Sequence, residues 1–334
     1  MADVTRWGIL ATGKIAHTFA TDLAVTPDNV LAAVGSRRLE SAQGFAQAFA
    51  GPDGVPAAHG SYEELVADPN VDVIYVATPH ALHLDNARLA FEAGKHVLCE
   101  KPLTLNIAEA EEMVRLAREH DRFLMEAMWM ACNPVILRLA DDLRAGRFGV
   151  PHQVHAELGF RVDAGPEDRM FNPDLGGGAL LDMGIYPLTF AHLMLGAAES
   201  LTATATLSDA GVDLDVAVTG RYAGGALATM VASMTSWPSR EASIATDLGR
   251  VEVPQQFHHP THAFFTPVGG EPELIEGDSP VVGLGYGNEI LEVSRCLQSG
   301  LRESPLVPLD HTLLLMRQMD DLRRQIGVRY AADG

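Results

Sequence analysis

Thr5-Arg6-Trp7-Gly8-Ile9-Leu10-Ala11-Thr12-Gly13-Lys14-Ile15-Ala16 is the stretch on which the fold turns. Its first half is short and apolar enough for a buried strand, and its second half opens a helix that runs to about Leu23. Between them lies a variant of the dinucleotide fingerprint G-x-G-x-x-G/A, with Ala11 in the first glycine place, Gly13 in the middle and Ala16 in the third. The middle place lets backbone approach a pyrophosphate seated at the helix N-terminus. Ala11, Thr12, Gly13, Lys14 and Ile15 are the candidate pyrophosphate turn. A plain strand–helix turn would fit the motif equally well, so its surroundings have to decide.

A second apolar strand, Val30–Val34, ends about 20 residues past the turn, where an NAD enzyme places an acid for the ribose 2′-hydroxyl. Here the chain reads Gly35-Ser36-Arg37-Arg38. A hydroxyl and two guanidinium groups suit a 2′-phosphate, because arginine pairs with phosphate in a bidentate way. Ser36, Arg37 and Arg38 therefore favour NADP over NAD; the competing explanation is a solvated helix start. Helices and strands then alternate: helices 39–49 and 62–67, strand 71–77, helix 83–93, strand 96–99, helix 107–119 and strand 123–128. Such alternation predicts a doubly wound parallel sheet, with ligands bound beyond the carboxyl ends of its strands.

Two of those strand ends carry chemistry. Thr78-Pro79-His80 leads to His83, and Cys99 runs into Glu100-Lys101-Pro102. His80 and His83 have an i, i+3 spacing but no third ligand, and the cluster His258, His259, His262 lacks a cysteine or paired acid. No metal is expected, and His80 and His83 are read as cofactor-loop or cap residues. Lys101, stiffened by the following proline, is a candidate reactive lysine; a surface lysine competes. Later, Gly176-Gly177-Gly178-Ala179-Leu180-Leu181-Asp182-Met183-Gly184-Ile185-Tyr186-Pro187 is a poor recipe for an ordinary helix. Its glycines suit a close approach or a bend, and in helical geometry Asp182 and Tyr186 share a face. Gly184 and Pro187 predict a kink near Gly184, with Tyr186 opening a second helical piece.

Taken in order, the Gly13 turn, Ala77-Thr78-Pro79 with His83, Cys99-Glu100-Lys101-Pro102, and the glycine triplet with Asp182 and Tyr186 resemble the glucose–fructose oxidoreductase/inositol dehydrogenase (Gfo/Idh/MocA) family. Leu124-Met125-Glu126-Ala127-Met128-Trp129 and 178–186 look most like its dihydrodiol dehydrogenase and NADP-dependent xylose dehydrogenase branch. The resemblance implies an α/β Rossmann domain followed by an α+β domain with a large open, mostly antiparallel sheet. We divide the chain accordingly into an NADP-binding domain, 1–126, and a substrate-binding and oligomerisation domain, 127–334. The resemblance also implies that Lys101 and Tyr186 lie beside the nicotinamide, with Asp182 nearby. Ala11, where relatives carry glycine, departs from the pattern.

The second half supports this division. After a helix over 133–145, long segments at 153–160, 201–207, 212–222 and 226–235 read as strands, most with period-two alternation. Neither face of 226–235 is charged, and a helix covers only one, so the other predicts a homodimer or homotetramer; burial by the chain's own loops competes. Trp129, Arg161, Arg169 and Phe171 are the candidate substrate rim. Helices over 288–299 and about 310–326 close the chain.

Composition narrows the function classes. Of 334 residues 44 are Asp or Glu against 24 Lys or Arg, a formal charge of −20 that disfavours nucleic acid and anionic membranes as partners. Three widely spaced cysteines suit a reducing, cytoplasmic setting. No secretion signal is visible at Met1–Arg6, and no uninterrupted apolar run of about 18 residues points to a membrane span. The expected activity is hydride transfer between NADP and a hydroxyl of a pyranose or cyclic diol. Tyr186 would act as acid/base, assisted by Lys101, and Asp182 would orient substrate or tune Lys101. A dinucleotide-binding regulator without turnover is the alternative, and aldose, ketosugar and trans-dihydrodiol substrates remain open.

Overall fold

The computed structural model describes residues 4–52, 54–165 and 167–333; Met1–Asp3, part of the stretch read above for a secretion signal, lie outside them. Two compact units share the chain, one made of Met1–Trp129 with Val281–Leu313 and the other of Met130–Pro280 with Leu314–Gly334. Residues 281–313 thus group with the dinucleotide-type unit, whereas the sequence division placed them in the second domain.

The first unit begins β1 Thr5–Leu10, α1 Lys14–Leu23, β2 Asn29–Gly35, α2 Leu39–Ala48, β3 Ala57–His59 and α3 Tyr62–Val66. It continues through β4 Val73–Val76, α4 His83–Glu92, β5 His96–Cys99, α5 Ile107–Glu119 and β6 Leu124–Glu126. All six strands are parallel, in the order β3-β2-β1-β4-β5-β6. That order reverses direction between β1 and β4, so the ligand crevice of such a sheet opens beyond Leu10 and Val76. Ile9, Leu10 and all of β4 are fully buried, as strands covered on both faces must be. β3 was not legible in the sequence, because a three-residue edge strand carries no periodic signal.

The second unit contains α6 Pro134–Arg144, β7 Pro151–Gly159, α7 Ile185–Leu195, β8 Ala198–Leu207, β9 Asp213–Tyr222 and β10 Leu227–Ser233. It adds β11 Ala242–Thr246, β12 Gly249–Val253, β13 Ala263–Pro267 and β14 Glu273–Ile275. Asn133 starts α6 by accepting the N–H groups of Val135 and Ile136. The eight strands form one sheet, β14-β13-β12-β11-β7-β10-β9-β8, antiparallel except for the β7–β10 pair. On one face Val154, Ala156, Val218, Ala228, Met230 and Ala232 are buried, where α7 packs on β7 and β10. On the other, Thr202, Thr219, Leu227 and Thr229 are exposed, so among the described residues the chain's own loops leave that face open.

The chain then returns to the first unit as α8 Tyr286–Gln298, before α9 Leu309–Ile326. Asp22, on α1, accepts the backbone N–H groups of Leu284, Tyr286 and Gly287 and so caps α8. This contact draws the late segment into the first unit. The stretch Pro173–Leu195, though interrupted by Asp174 and Asp182, is long and apolar enough on average to cross a membrane. Since 89% of its most apolar window is buried, it has the character of a core helix.

Candidate active site

The carboxyl edge of the parallel sheet gathers the candidate residues of the first unit. Ala11 adopts φ 90°, a left-handed conformation that side chains disfavour, and its N–H donates to the Gly35 carbonyl. Gly13 caps α1 with φ −76°, which any residue adopts, and a Cβ added there meets no atom within 4 Å. The fold itself therefore places no demand for glycine at 13, and the demand falls on a molecule that approaches from outside. α1 has no side-chain cap and no acid in its first turn, so its N-terminal N–H groups at Lys14 and Ile15 are open to an anion. These features fit a dinucleotide pyrophosphate.

At the end of β2, Ser36 donates its N–H to the His59 carbonyl, and Arg37 and Arg38 are exposed. Arg38 opens α2 without a side-chain cap bond. Burial raises the Tyr62 phenol pKa, and the Arg37 charge works against that rise. At the end of β4, Thr78 and His80 are buried and Pro79 precedes a short turn of helix, His80–Leu82. His83 is fully buried: Nε2 lies 2.9 Å from the Thr78 carbonyl, and Nδ1 lies 3.1 and 3.2 Å from those of Pro102 and Leu103. Burial pushes its pKa down to about 4. His83 is thus a brace between two strand-end loops, with no surface to offer a cofactor.

Lys101 sits at the carboxyl end of β5, half-buried, and its bond to Pro102 is cis. Glu100 accepts the Tyr75 hydroxyl on one oxygen and the Lys101 N–H on the other, at 3.1 Å. Glu126 accepts the Leu103 N–H at 2.9 Å and the Thr312 hydroxyl at 3.0 Å, and burial raises its pKa to about 7. Glu100, His83 and Glu126 therefore grip residues 101–103 from three strands' ends, and a lysine so held can be aimed. Trp129 does not stand free as a rim residue; its indole stacks on Tyr286 at 4.2 Å and is buried.

In the second unit, the glycine-rich helix runs on through Gly184 and Ile185 with helical backbone, so a change of winding takes the place of the expected kink. Leu180–Gly184 forms a π-helical segment that passes into α7, with Tyr186 in its first turn. Such bulges concentrate at functional sites. Asp182 is buried, and both terminal nitrogens of Arg169 donate to its Oδ1 at 3.2 Å. Arg169, expected on the rim, is the partner that a buried aspartate requires. Tyr186 is 6% exposed and its ring lies 5.0 Å from that of His258. Phe171 is half-buried and Arg161 exposed.

Tyr75 and Asp213 escaped the sequence reading, and Glu126 and His258 were named there without a role at this site. The three histidines between 258 and 262 gave a signal, but it was weighed only for metal binding. Among the described residues no group of three or more His, Cys, Asp and Glu side chains converges as a metal site.

Comparison with known proteins agrees with this architecture. Residues 5–128 match a family model described as an oxidoreductase family with an NAD-binding Rossmann fold, and residues 136–252 match a Gfo/Idh/MocA C-terminal domain. Trans-1,2-dihydrobenzene-1,2-diol dehydrogenase of Mus musculus is 38% identical over 340 residues, covering 98% of both chains. D-xylose 1-dehydrogenase (NADP(+)) of Hypocrea jecorina is 33% identical over 363 residues, covering 97% of this chain and 93% of its own. Among solved structures, a 3-ketoreductase from Actinomadura kijaniata, in complex with NADP and TDP-benzene, superposes with a TM-score of 0.84 at 26% identity, covering 98% of this chain and 99% of that one. The chain belongs to the Gfo/Idh/MocA family of oxidoreductases. It is an NAD(P)-dependent dehydrogenase or reductase acting on CH–OH groups.

Proposed function

We propose that the enzyme transfers a hydride between NADP and a hydroxyl-bearing or carbonyl carbon of a pyranose sugar or cyclic diol. The observation that carries this reading is Lys101, gripped through its neighbours at the carboxyl edge of a sheet whose glycine turn is bare. The relatives named above, two of them acting on a dihydrodiol and a xylose, support the substrate class. Arg37 and Arg38, exposed past β2 where an acid would mark NAD, support NADP.

Bound nicotinamide supplies the hydride acceptor or donor. The chain supplies the proton chemistry. A free phenol has a pKa of about 10 and is a weak base at neutral pH, so Tyr186 needs a neighbouring cation. Lys101 fills that role and donates a hydrogen bond to the reacting oxygen. Tyr186 takes the hydroxyl proton in oxidation and returns it in reduction. Asp182 orients substrate hydroxyls; the Arg169 guanidinium already balances its charge, which argues against Asp182 as the group tuning Lys101.

The exposed face of the eight-stranded sheet supports a homo-oligomer. One row runs in register across it through Thr202, Thr219, Thr229, His155, Ser243, Glu252, Phe264 and Leu274. At about 4.8 Å per strand this face is broad enough for the roughly 800 Å² per partner of a stable interface.

NADP reduction against a panel of aldoses, polyols and trans-dihydrodiols identifies the substrate. On the best one, Tyr186→Phe lowers turnover on the order of 10²–10⁴-fold while NADP still binds; near-normal turnover refutes the assignment. Arg37→Ala weakens NADP binding far more than NAD binding, and equal losses remove the 2′-phosphate reading.

A further inference from the structure

Two side chains that arrive from elsewhere in the second unit close on the glycine triplet. Asp213, the first residue of β9, is fully buried, and its Oδ2 accepts the Leu180 N–H at 2.5 Å. A Cβ on Gly178, where φ is 123°, would lie 2.3 Å from Asp213 Oδ1. From the C-terminal tail, the buried Tyr330 hydroxyl donates to the Gly177 carbonyl at 2.6 Å. The tail is itself tied down. Arg323 lies over the Tyr330 ring at 4.7 Å and pairs with Asp320 and Asp333, and Asp333 accepts the Tyr330 N–H.

These contacts close on the entry to the helical run that holds Asp182 and Tyr186. A Cβ on Gly177 would lie 2.6 and 2.7 Å from the carbonyls of Met170 and Arg169, so the same turn also fixes the backbone of Asp182's partner. An anchored start limits how far the π-helical segment can shift. A carboxylate at its first N–H groups opposes the positive end of the helix dipole.

We propose that Asp213 and Tyr330 are positioning residues, a latch from β9 and the C-terminal tail that sets where the Asp182–Tyr186 helix begins. The latch touches neither substrate nor cofactor. Its catalytic consequence rests on the reading of Tyr186 given above.

The test compares Tyr330→Phe, Asp213→Asn, Asp213→Ala and Tyr186→Phe by steady-state kinetics, NADP titration and amide exchange. Tyr330→Phe removes one hydroxyl and keeps the ring against Arg323, so it carries the test if Asp213→Ala does not fold. Tyr330→Phe and Asp213→Ala are expected to lower kcat on the order of tenfold, since small misplacements of a reacting group are costly. KM and NADP affinity change little, and exchange across 177–184 quickens. Asp213→Asn, which keeps an oxygen for Leu180, restores most of the kcat lost in Asp213→Ala.

Wild-type kcat and exchange in Tyr330→Phe, and in Asp213→Ala where it folds, with Tyr186→Phe inactive, overturn the latch and leave the Tyr186 reading standing. Full activity in Tyr186→Phe sinks that reading instead. Exchange across 177–184 then decides the latch alone, with quickening in Tyr330→Phe upholding it and wild-type rates ending it.

Discussion

Replacing Ala11 by glycine should stabilise this protein, against the usual direction of such a change. In most positions glycine costs about 0.5–1 kcal/mol, because the unfolded chain gains freedom that folding must remove. At Ala11 the native φ is 90°, and a non-glycine residue held in so sparse a region stores on the order of 1–3 kcal/mol. The N–H of Ala11 is committed to the Gly35 carbonyl and Ala77 donates to Leu10 alongside, so the surrounding sheet holds the conformation in place. Subtracting the entropy cost leaves a net gain of about 0.5–2 kcal/mol. Urea unfolding followed by the fluorescence of Trp7, fully buried in the same unit, measures it as a rise in midpoint at constant slope. A midpoint that falls, as at an ordinary alanine, refutes the claim that the turn is strained.

Gly13→Ala is the converse. With φ at −76° and open space around the added methyl, the apo-protein keeps its midpoint, whereas NADP affinity drops on the order of tenfold or more, read by fluorescence titration. Unchanged affinity would detach the turn from the cofactor. Glu126→Gln tests a buried titration. Because the folded pKa is raised from 4.5 to about 7, the wild-type contribution is fully present below pH 4.5 and is lost as pH rises toward 7. The variant should gain up to about 3 kcal/mol on the wild type across that window and no more above it, and a pH-independent difference would contradict the assignment.

Much of the first unit was legible because its strands are short apolar runs between helices, and a parallel sheet demands that pattern. Gly13, Lys101, Asp182 and Tyr186 stood out for the same local reason: each breaks the pattern of its own segment. The need of Asp182 for a partner followed from burial, but Arg169 was singled out on other grounds. Only the turn of 169–177 brings them together. β11 to β14 were missed because they are five residues or fewer, set among prolines, glycines and exposed polar residues. Asp22, Asp213 and His83 act on backbone groups distant in sequence, and a hydrogen bond to a remote N–H or carbonyl leaves no spacing to read. Glu126 was visible only as part of a resemblance, and its raised pKa comes from burial that no local pattern announces.

The cap that Asp22 places on α8 has a consequence for synthesis. Its recipients, Leu284 to Gly287, are translated after the whole of 130–280, so the first unit cannot complete itself as it leaves the ribosome. At roughly 5–20 residues per second, the helix that closes it follows Trp129 by about 10–30 s. Through that interval the surface of α1 that will receive α8, including the carboxylate of Asp22, waits uncovered. Until then the nascent chain offers that surface to chaperones and proteases, and a ribosome stalled before α8 would release a Rossmann unit without its last helix.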